Sequence, residues 1–366
     1  MIRNFFLKLK VRYLLFLLLL GFIININLFY LSSIFLFLKF YLKKNNILFL
    51  LASYTFLSFM IFDYAMPKLT LEKSDYYTKS NIEYDINKFF GYFPKKDTVF
   101  EEQIYFKDNL LKVNKYNINS YGHRKTYRSN LKDDDCIVLF GGSITFGQSL
   151  NENETLSSLI YLKLNQNKSV YNFAFNGYGP HQFLSKLNNN YYQEIKNCNK
   201  VSFIYFYIDD HVGRVVGKRS WGDKSPRFVI ENGNLIQKDF FSSYPFKIIM
   251  KIRKNFRNSK ILSLLHNVNL ANTEDELLFV KILENIEKKA KSKFPSSETF
   301  YILWNRDDSN FKIVDIFFKN KKKIHIEELN ISQKYLYNNI PGDNHPAKEF
   351  NDILSSIIIN NFFGEM

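Results

Sequence analysis

Four short apolar runs set the frame of this chain: Ile137–Phe140, Val170–Phe175, Val201–Ile208 and Phe300–Trp304. Helical patterns alternate with them, at Thr155–Leu164, His181–Ile195, Glu274–Ser292 and Pro346–Ile359. Parallel strands cannot be joined by a tight turn, so strand-length runs separated by helix-length segments predict a parallel α/β sheet with crossover helices. Thr273 and Glu276 have the spacing of a capping box at the start of the third helix. The stretch 212–270 breaks the rhythm. Within it Phe228–Ile236 holds Glu-Asn-Gly-Asn between apolar flanks, a hairpin signal, so 212–270 reads as an insertion over the active face.

The N-terminus reads as membrane sequence. No residue from Tyr13 to Leu38 carries a charge, and Ile47 to Phe62 is a second uncharged stretch. A helix needs about 20 apolar residues to cross the hydrocarbon core, so the first run is long enough and the second must borrow flanking residues. A cleaved signal peptide fits less well, because the run is long and lacks a small-residue cleavage site. Arg3, Lys8, Lys10 and Arg12 favour the cytoplasm, and so do Lys39, Lys43 and Lys44. A re-entrant first segment turning near Asn25 and Asn27, followed by a span at 47–64, satisfies both clusters. It puts the rest of the chain outside the cytoplasm. The expected organisation is a membrane anchor at 1–64, a polar connector at 65–130 and a catalytic domain at 131–366.

The formal charge of +15 invites a nucleic-acid partner, but its distribution excludes one. Seven of the basic residues fall within 1–62, where there is no acid, and beyond them lysines alternate with acids and asparagines. No helix-turn-helix, zinc-finger spacing or RNP-like motif accompanies the charge.

Chemistry enters at the end of the first run. Cys136–Gly147 reads Cys-Ile-Val-Leu-Phe-Gly-Gly-Ser-Ile-Thr-Phe-Gly, which places Ser143 just beyond a strand. In parallel α/β sheets functional groups gather at the carboxyl ends of strands. Gly141 and Gly142 let the chain turn without a side chain covering the serine. A serine hydroxyl needs a base to take its proton, and the attacked carbonyl needs N–H donors as its oxygen becomes charged. The Ser143 amide is one candidate donor. Thr145 stands where a Gly-x-Ser-x-Gly elbow would have its second glycine. Gly-Asp-Asn-His-Pro at 342–346 offers the base, with His345 before a proline suited to a helix start and Asp343 two residues earlier. Phe350, Ile353, Leu354, Ile357 and Ile358 follow at helical spacing. His181, after Gly179-Pro180, is a competitor. His123, His266 and His325 lack a paired acid within a glycine turn and read as surface or packing histidines.

These segments resemble the SGNH (GDSL-like) hydrolase superfamily over roughly residues 115–360. Gly142-Ser143-Ile144-Thr145-Phe146-Gly147 is similar to its first block, with Ser143 as nucleophile. Asn172-Phe173-Ala174-Phe175-Asn176-Gly177-Tyr178-Gly179 resembles the second, with Gly177 donating a backbone N–H to the oxyanion hole. Asp343-Asn344-His345-Pro346 resembles the fifth, supplying Asp343 and His345. Two positions depart from the pattern. Asp209 falls where the third block has a donor asparagine, and one residue rather than two separates the acid from the histidine. An ionised Asp209 would repel an oxyanion. Three arrangements remain open: a protonated Asp209, donation by another group such as His211, or an Asp209 that points away.

The resemblance implies a three-layer α/β/α sandwich with a five-stranded parallel sheet of flavodoxin-like order. It implies ester chemistry through an acyl-serine, with no metal or organic cofactor, on acylated carbohydrates or lipids of the cell surface. An O-acyltransferase modifying an envelope polysaccharide and a non-catalytic glycan-binding protein are the alternatives. In the implied sheet order the strands that follow Cys136 and Cys198 are parallel neighbours, so both cysteines lie at the amino-terminal edge. A bridge between them is then geometrically open, and an external compartment would permit it. Two unrelated thiols are the alternative.

Overall fold

The computed structural model describes residues 76–364 except 128–134, 166, 220–221, 244–246, 249–270, 306–310, 330, 333–335, 338–342 and 344. The chain divides into two compact units. One, Ser74–Phe241 with Leu270–Met366, carries the fold described below. The other, Met1–Lys73 with Ser242–Asn269, falls almost entirely outside the described residues, and the expected membrane segments fall there with it. Among the described residues no helix is long and apolar enough to cross a membrane.

The unit begins with five antiparallel strands: β1 (Tyr76–Ser80), β2 (Tyr84–Asn87), β3 (Gly91–Pro94), β4 (Val99–Phe106) and β5 (Asn109–Asn117). β1, β4 and β5 form one sheet, while β2 and β3 pair as a hairpin. The sequence suggests a polar connector with short possible strands here, and these strands share a compact unit with the α/β core. The core follows in chain order. Its elements are β6 (Asp135–Phe140), α1 (Ser143–Phe146), α2 (Leu156–Lys163), β7 (Ser169–Asn172), α3 (Pro180–Asn188), β8 (Lys200–Ile208) and α4 (Asp210–Val215). After the hairpin β9 (Pro226–Glu231) and β10 (Asn234–Phe240) come α5 (Thr273–Lys293), β11 (Glu298–Trp304), α6 (Lys312–Lys319), β12 (Lys323–His325) and α7 (Lys348–Ile358).

The central sheet is parallel throughout, in the order β12-β11-β8-β6-β7. Successive side chains of a strand point to opposite faces, and the burial follows that alternation. Val138 and Phe140 of β6, Phe203, Tyr205 and Tyr207 of β8, and Leu303 of β11 pack with α3, α5 and α6. Ile137, Leu139, Ile204, Phe206 and Ile302 pack on the other face with α2 and α7. Three layers result. The connection from β6 runs outward to β7 and then returns past β6 to β8, so the chain reverses direction between β6 and β8. A crevice opens at the carboxyl ends of the strands at such a point, and Ser143 lies there.

Several boundaries differ from the sequence reading for local reasons. The box at the start of α5 is one residue earlier: Asn272 accepts from the Asp275 amide at 2.9 Å, and Asp275 accepts from the Asn272 amide at 2.7 Å. Glu276 is thereby freed for another end, and its carboxylate accepts from the amides of Ile313 and Val314 in the first turn of α6. α3 stops at Asn188, before Asn190 takes φ +59. α7 begins at Lys348 rather than Pro346.

His123 is a packing histidine, one of the two roles read from the sequence. Its ring donates from Nδ1 to Glu194 at 2.6 Å, accepts at Nε2 from the Lys186 ammonium at 2.9 Å, and stacks on Phe173 with centroids 3.8 Å apart. The acid it lacked in the sequence reading comes from far along the chain. His266 lies outside the described residues, and His325 sits in β12.

Cys136 and Cys198 form a disulfide, with Cα atoms 5.9 Å apart. β6 and β8 are direct neighbours, with Cys136 opposite Val201, so the bridge closes the amino-terminal edge of the sheet, away from Ser143. Its sequence separation is 62 residues. Constraining a loop of that size in the unfolded chain is worth about 4 kcal/mol. The double variant Cys136→Ala/Cys198→Ala should therefore lose about that much unfolding free energy in urea titration. An unchanged midpoint would show that the bridge contributes no constraint.

Candidate active site

Ser143 opens α1, a single turn that follows β6 directly. The turn is possible because Gly142 has no side chain. A Cβ there would stand 2.6 Å from Nη1 of Arg214, 3.1 Å from Nε2 of His211 and 3.2 Å from the Tyr178 carbonyl oxygen. Behind the turn, the buried guanidinium of Arg124 donates to the carbonyls of Phe146 (2.9 Å), Gly147 (2.6 Å) and Leu150 (2.6 Å). Those are the orphan carbonyls at the end of a helix. The guanidinium also lies over the Tyr116 ring at 4.4 Å. Burial pulls its pKa down to about 10, which leaves it charged at neutral pH. Arg124 thus anchors the serine turn to β5.

His345 reaches the serine from the other end of the chain. Its Nε2 lies 3.0 Å from Ser143 Oγ, and its Nδ1 lies 2.6 Å from Asp343 Oδ1. The same carboxylate oxygen accepts the His345 backbone N–H at 3.1 Å. With Nδ1 protonated toward Asp343, Nε2 accepts the serine hydroxyl, which is the arrangement a general base requires. Phe350, Leu354 and Ile358 of α7 are buried against the sheet and hold the approach to that helix in place.

The loop after β7 supplies Gly177. Asn172 fastens this loop to the serine turn, donating to the Thr145 carbonyl at 2.9 Å and accepting from the Ala174 amide at 3.2 Å. Gly177 takes φ +77, a left-handed conformation that glycine adopts without steric cost. Ser143, Gly177 and His345 line one cavity of about 540 Å³. Its volume lies within the usual range for small-ligand sites.

Asp209 and His211 do not line that cavity. Asp209 is only 1% exposed and accepts a hydrogen bond from Tyr207 at 3.0 Å. Tyr207 belongs to the face covered by α5 and α6, so the bonded Asp209 carboxylate faces away from the cavity, while Nε2 of His211 stands buried beside Gly142 with no hydrogen-bond partner. His211 is buried, with Nδ1 2.7 Å from the Tyr205 hydroxyl. Burial, and then the nearby charge of Arg214, hold its pKa well below the usual histidine range. His181, the competing base, is fully buried, and neither ring nitrogen has a hydrogen-bond partner. Burial and then Arg214 lower its pKa to about 3.

Six cavity residues were absent from the sequence reading: Tyr84, Tyr92, Gln148, Arg214, Asp223 and Lys224. The two tyrosines come from the β2–β3 hairpin, their rings edge to face with centroids 6.2 Å apart. The hairpin is tied to the Gly177 loop by paired bonds. Tyr92 donates to the Asn176 carbonyl at 2.9 Å, and Tyr178 donates to the Tyr92 carbonyl. On its other side, a Cβ at Gly91 would collide with the Lys224 carbonyl, so a side chain there would push the hairpin off its seat. Among the described residues no three His, Cys, Asp or Glu side chains gather at metal-binding range.

No family model and no curated protein matches this sequence. Solved structures with a similar course of chain include TesA, at 11% identity and a TM-score of 0.37, covering 63% of this chain and 98% of that one. The psychrotrophic esterase EstA from Pseudoalteromonas sp. is 11% identical with a TM-score of 0.35, covering 62% of this chain and 95% of its own. A family two carbohydrate esterase from Clostridium thermocellum, solved with cellohexaose, is 11% identical with a TM-score of 0.36, covering 79% and 91%. Two of these three are esterases by name, all at low identity.

Proposed function

We propose that this chain is a serine esterase of the SGNH type, which removes acyl groups from carbohydrate through an acyl-serine. The observation that carries the reading is the line of hydrogen bonds from Ser143 through His345 to Asp343, set beside Gly177 in one cavity. As Ser143 Oγ bonds to the ester carbonyl carbon, His345 Nε2 takes the hydroxyl proton and the carbonyl electron pair moves onto oxygen. The amides of Ser143 and Gly177 receive that oxyanion. Collapse breaks the bond to the alcohol, which leaves with the proton from His345. Water, or the hydroxyl of an acceptor sugar, then attacks the acyl-serine with His345 as base. Asp343 keeps the imidazole in the useful tautomer and offsets its positive charge in between.

The cavity wall supports a sugar as the group that bears the ester. Tyr84 is 59% exposed there, and Asn176, Gln148 and Lys224 stand around it. An exposed aromatic face ringed by amide and amine groups suits a flat polyol ring better than a long alkyl chain. The disulfide supports an oxidising compartment, because such bridges persist outside the reducing cytosol. Together with the uncharged N-terminal runs it favours a membrane-anchored enzyme whose catalytic unit faces outward.

The test is covalent. A fluorophosphonate probe incubated with the full chain should add its mass to the peptide containing Ser143 and to no other. Prior incubation with an acetylated oligosaccharide should slow the labelling. Absence of any adduct, or an adduct on another serine, overturns the reading.

A further inference from the structure

Asp209, buried and bonded to Tyr207, does not line the cavity, whereas the guanidinium of Arg214 does. Arg214 lies on α4, five residues beyond Asp209, and is 9% exposed. Its Nε donates to Asp210 at 2.6 Å and its Nη1 to the Tyr178 carbonyl at 2.6 Å. Two of its five N–H groups are thereby used, and the plane of the fork is set. Arg214 lines the cavity together with Ser143, Gly177 and His345.

Its distance to the reacting atoms follows from Gly142. Nη1 is 2.6 Å from the position a Cβ would take on that residue. The Ser143 amide nitrogen is three covalent bonds from the same position, roughly 3 Å away. Nη1 therefore lies no more than about 5.6 Å from the Ser143 amide nitrogen, on the wall of the cavity that Ser143 lines. The charge balance agrees. Asp210 is the partner of both Arg214 and Arg219, and the cavity wall adds the carboxylate of Asp223 and the amine of Lys224, so these five groups carry one positive charge more than negative. Low-dielectric surroundings make such a charge effective on an anion that forms only in the transition state.

We propose that Arg214 is a catalytic residue, the third donor of the oxyanion hole, in the place where a strand-end amide would otherwise serve. The proposal rests on the esterase reading above. It also explains why the aspartate at the end of β8 is tolerated: the repulsion it would exert is turned into the layer beneath.

The experiment uses the full chain in detergent with an aryl acetate as substrate. Arg214→Ala should lower kcat by about 10²–10³-fold while KM changes little, the usual consequence of losing one oxyanion donor. Ethylguanidinium in the buffer should restore the alanine variant at least tenfold and should do nothing for Ser143→Ala. Arg214→Lys keeps the charge without the fork and should fall between the two. If the alanine variant does not fold, the lysine variant decides, since a kcat equal to that of the unaltered protein overturns the proposal. An Arg214→Ala kcat within fivefold of the unaltered protein also overturns it, as does a loss that ethylguanidinium cannot restore. Equal turnover by the unaltered protein and Ser143→Ala would instead sink the esterase reading.

Discussion

His345→Ala should lower kcat on an activated ester by about a million-fold, and Asp343→Asn by about ten-thousand-fold. The order follows from the geometry. Nε2 of His345, 3.0 Å from Ser143 Oγ, is the atom that takes the proton. Without it the hydroxyl attacks in its neutral form, and what remains is the oxyanion hole and binding. Asp343 acts one bond further back, through Nδ1 at 2.6 Å. An amide in its place can still occupy the space, but it presents an N–H as readily as an oxygen. The imidazole then turns its proton toward the serine and loses its acceptor. Stopped-flow assays at pH 8 would separate the two variants. A His345→Ala enzyme that kept a tenth of its activity would remove His345 from the role of base.

The second large effect is on stability and comes from acid. Burial is the leading cause that lowers His123 to about 4 and His181 to about 3, and it holds His211 well below its usual value. For His123 the charge of Lys186 acts in the same direction, against Glu194, and for His181 and His211 the charge of Arg214 does so. In the unfolded chain each titrates near pH 6.5. Between that pH and the lower folded value, the unfolded chain binds protons that the folded one does not, so stability rises with pH and is lost on acidification. Each group contributes about 1.4 kcal/mol per pH unit in its window, or about 3 kcal/mol for His123 between pH 6.5 and 4. His181 and His211 act in the same direction, so the three losses reinforce one another on acidification. Lys186 extends the slope upward: burial lowers it to about 7 from 10.5, so stability continues to rise on the alkaline side of neutrality. Calorimetry should find Tm falling steeply below pH 6 and the unit unfolded near pH 4. A Tm that is flat from pH 7 to 4.5 would mean that these imidazoles find proton partners when folded.

The parts of this molecule that could be read in advance are those whose physics is local. An apolar run that halts at Gly141-Gly142-Ser143 marks a strand end whatever surrounds it, and His345-Pro346 marks a helix approach. The long strands are legible because both faces are buried, which leaves unbroken runs such as Phe203–Ile208. β12 was missed because three residues, Lys-Ile-His, follow a lysine run and make no pattern. β1 to β5 were missed as a layer because they are half exposed, and their polar alternation resembles a linker. The partners of His123 and the position of Arg214 depend on contacts between distant segments, which no spacing reveals. Glu276 shows how a correct local signal can mislead, since its spacing suits one helix end while its carboxylate serves another.

The β2–β3 hairpin gives this enzyme a division of labour along its own sequence. On the proposed reading, proton transfer belongs to Ser143 and His345 with Asp343 behind them and the oxyanion to the Ser143 and Gly177 amides, whereas Tyr84 and Tyr92, before the first strand of the parallel sheet, carry part of the cavity wall. Substitution at the exposed Tyr84 can therefore re-shape or re-charge that wall while the hydrogen bonds among Ser143, His345 and Asp343 stay as they are. On the proposed reading, a change in what is recognised would be written first in that early hairpin, far in sequence from the residues that carry the chemistry.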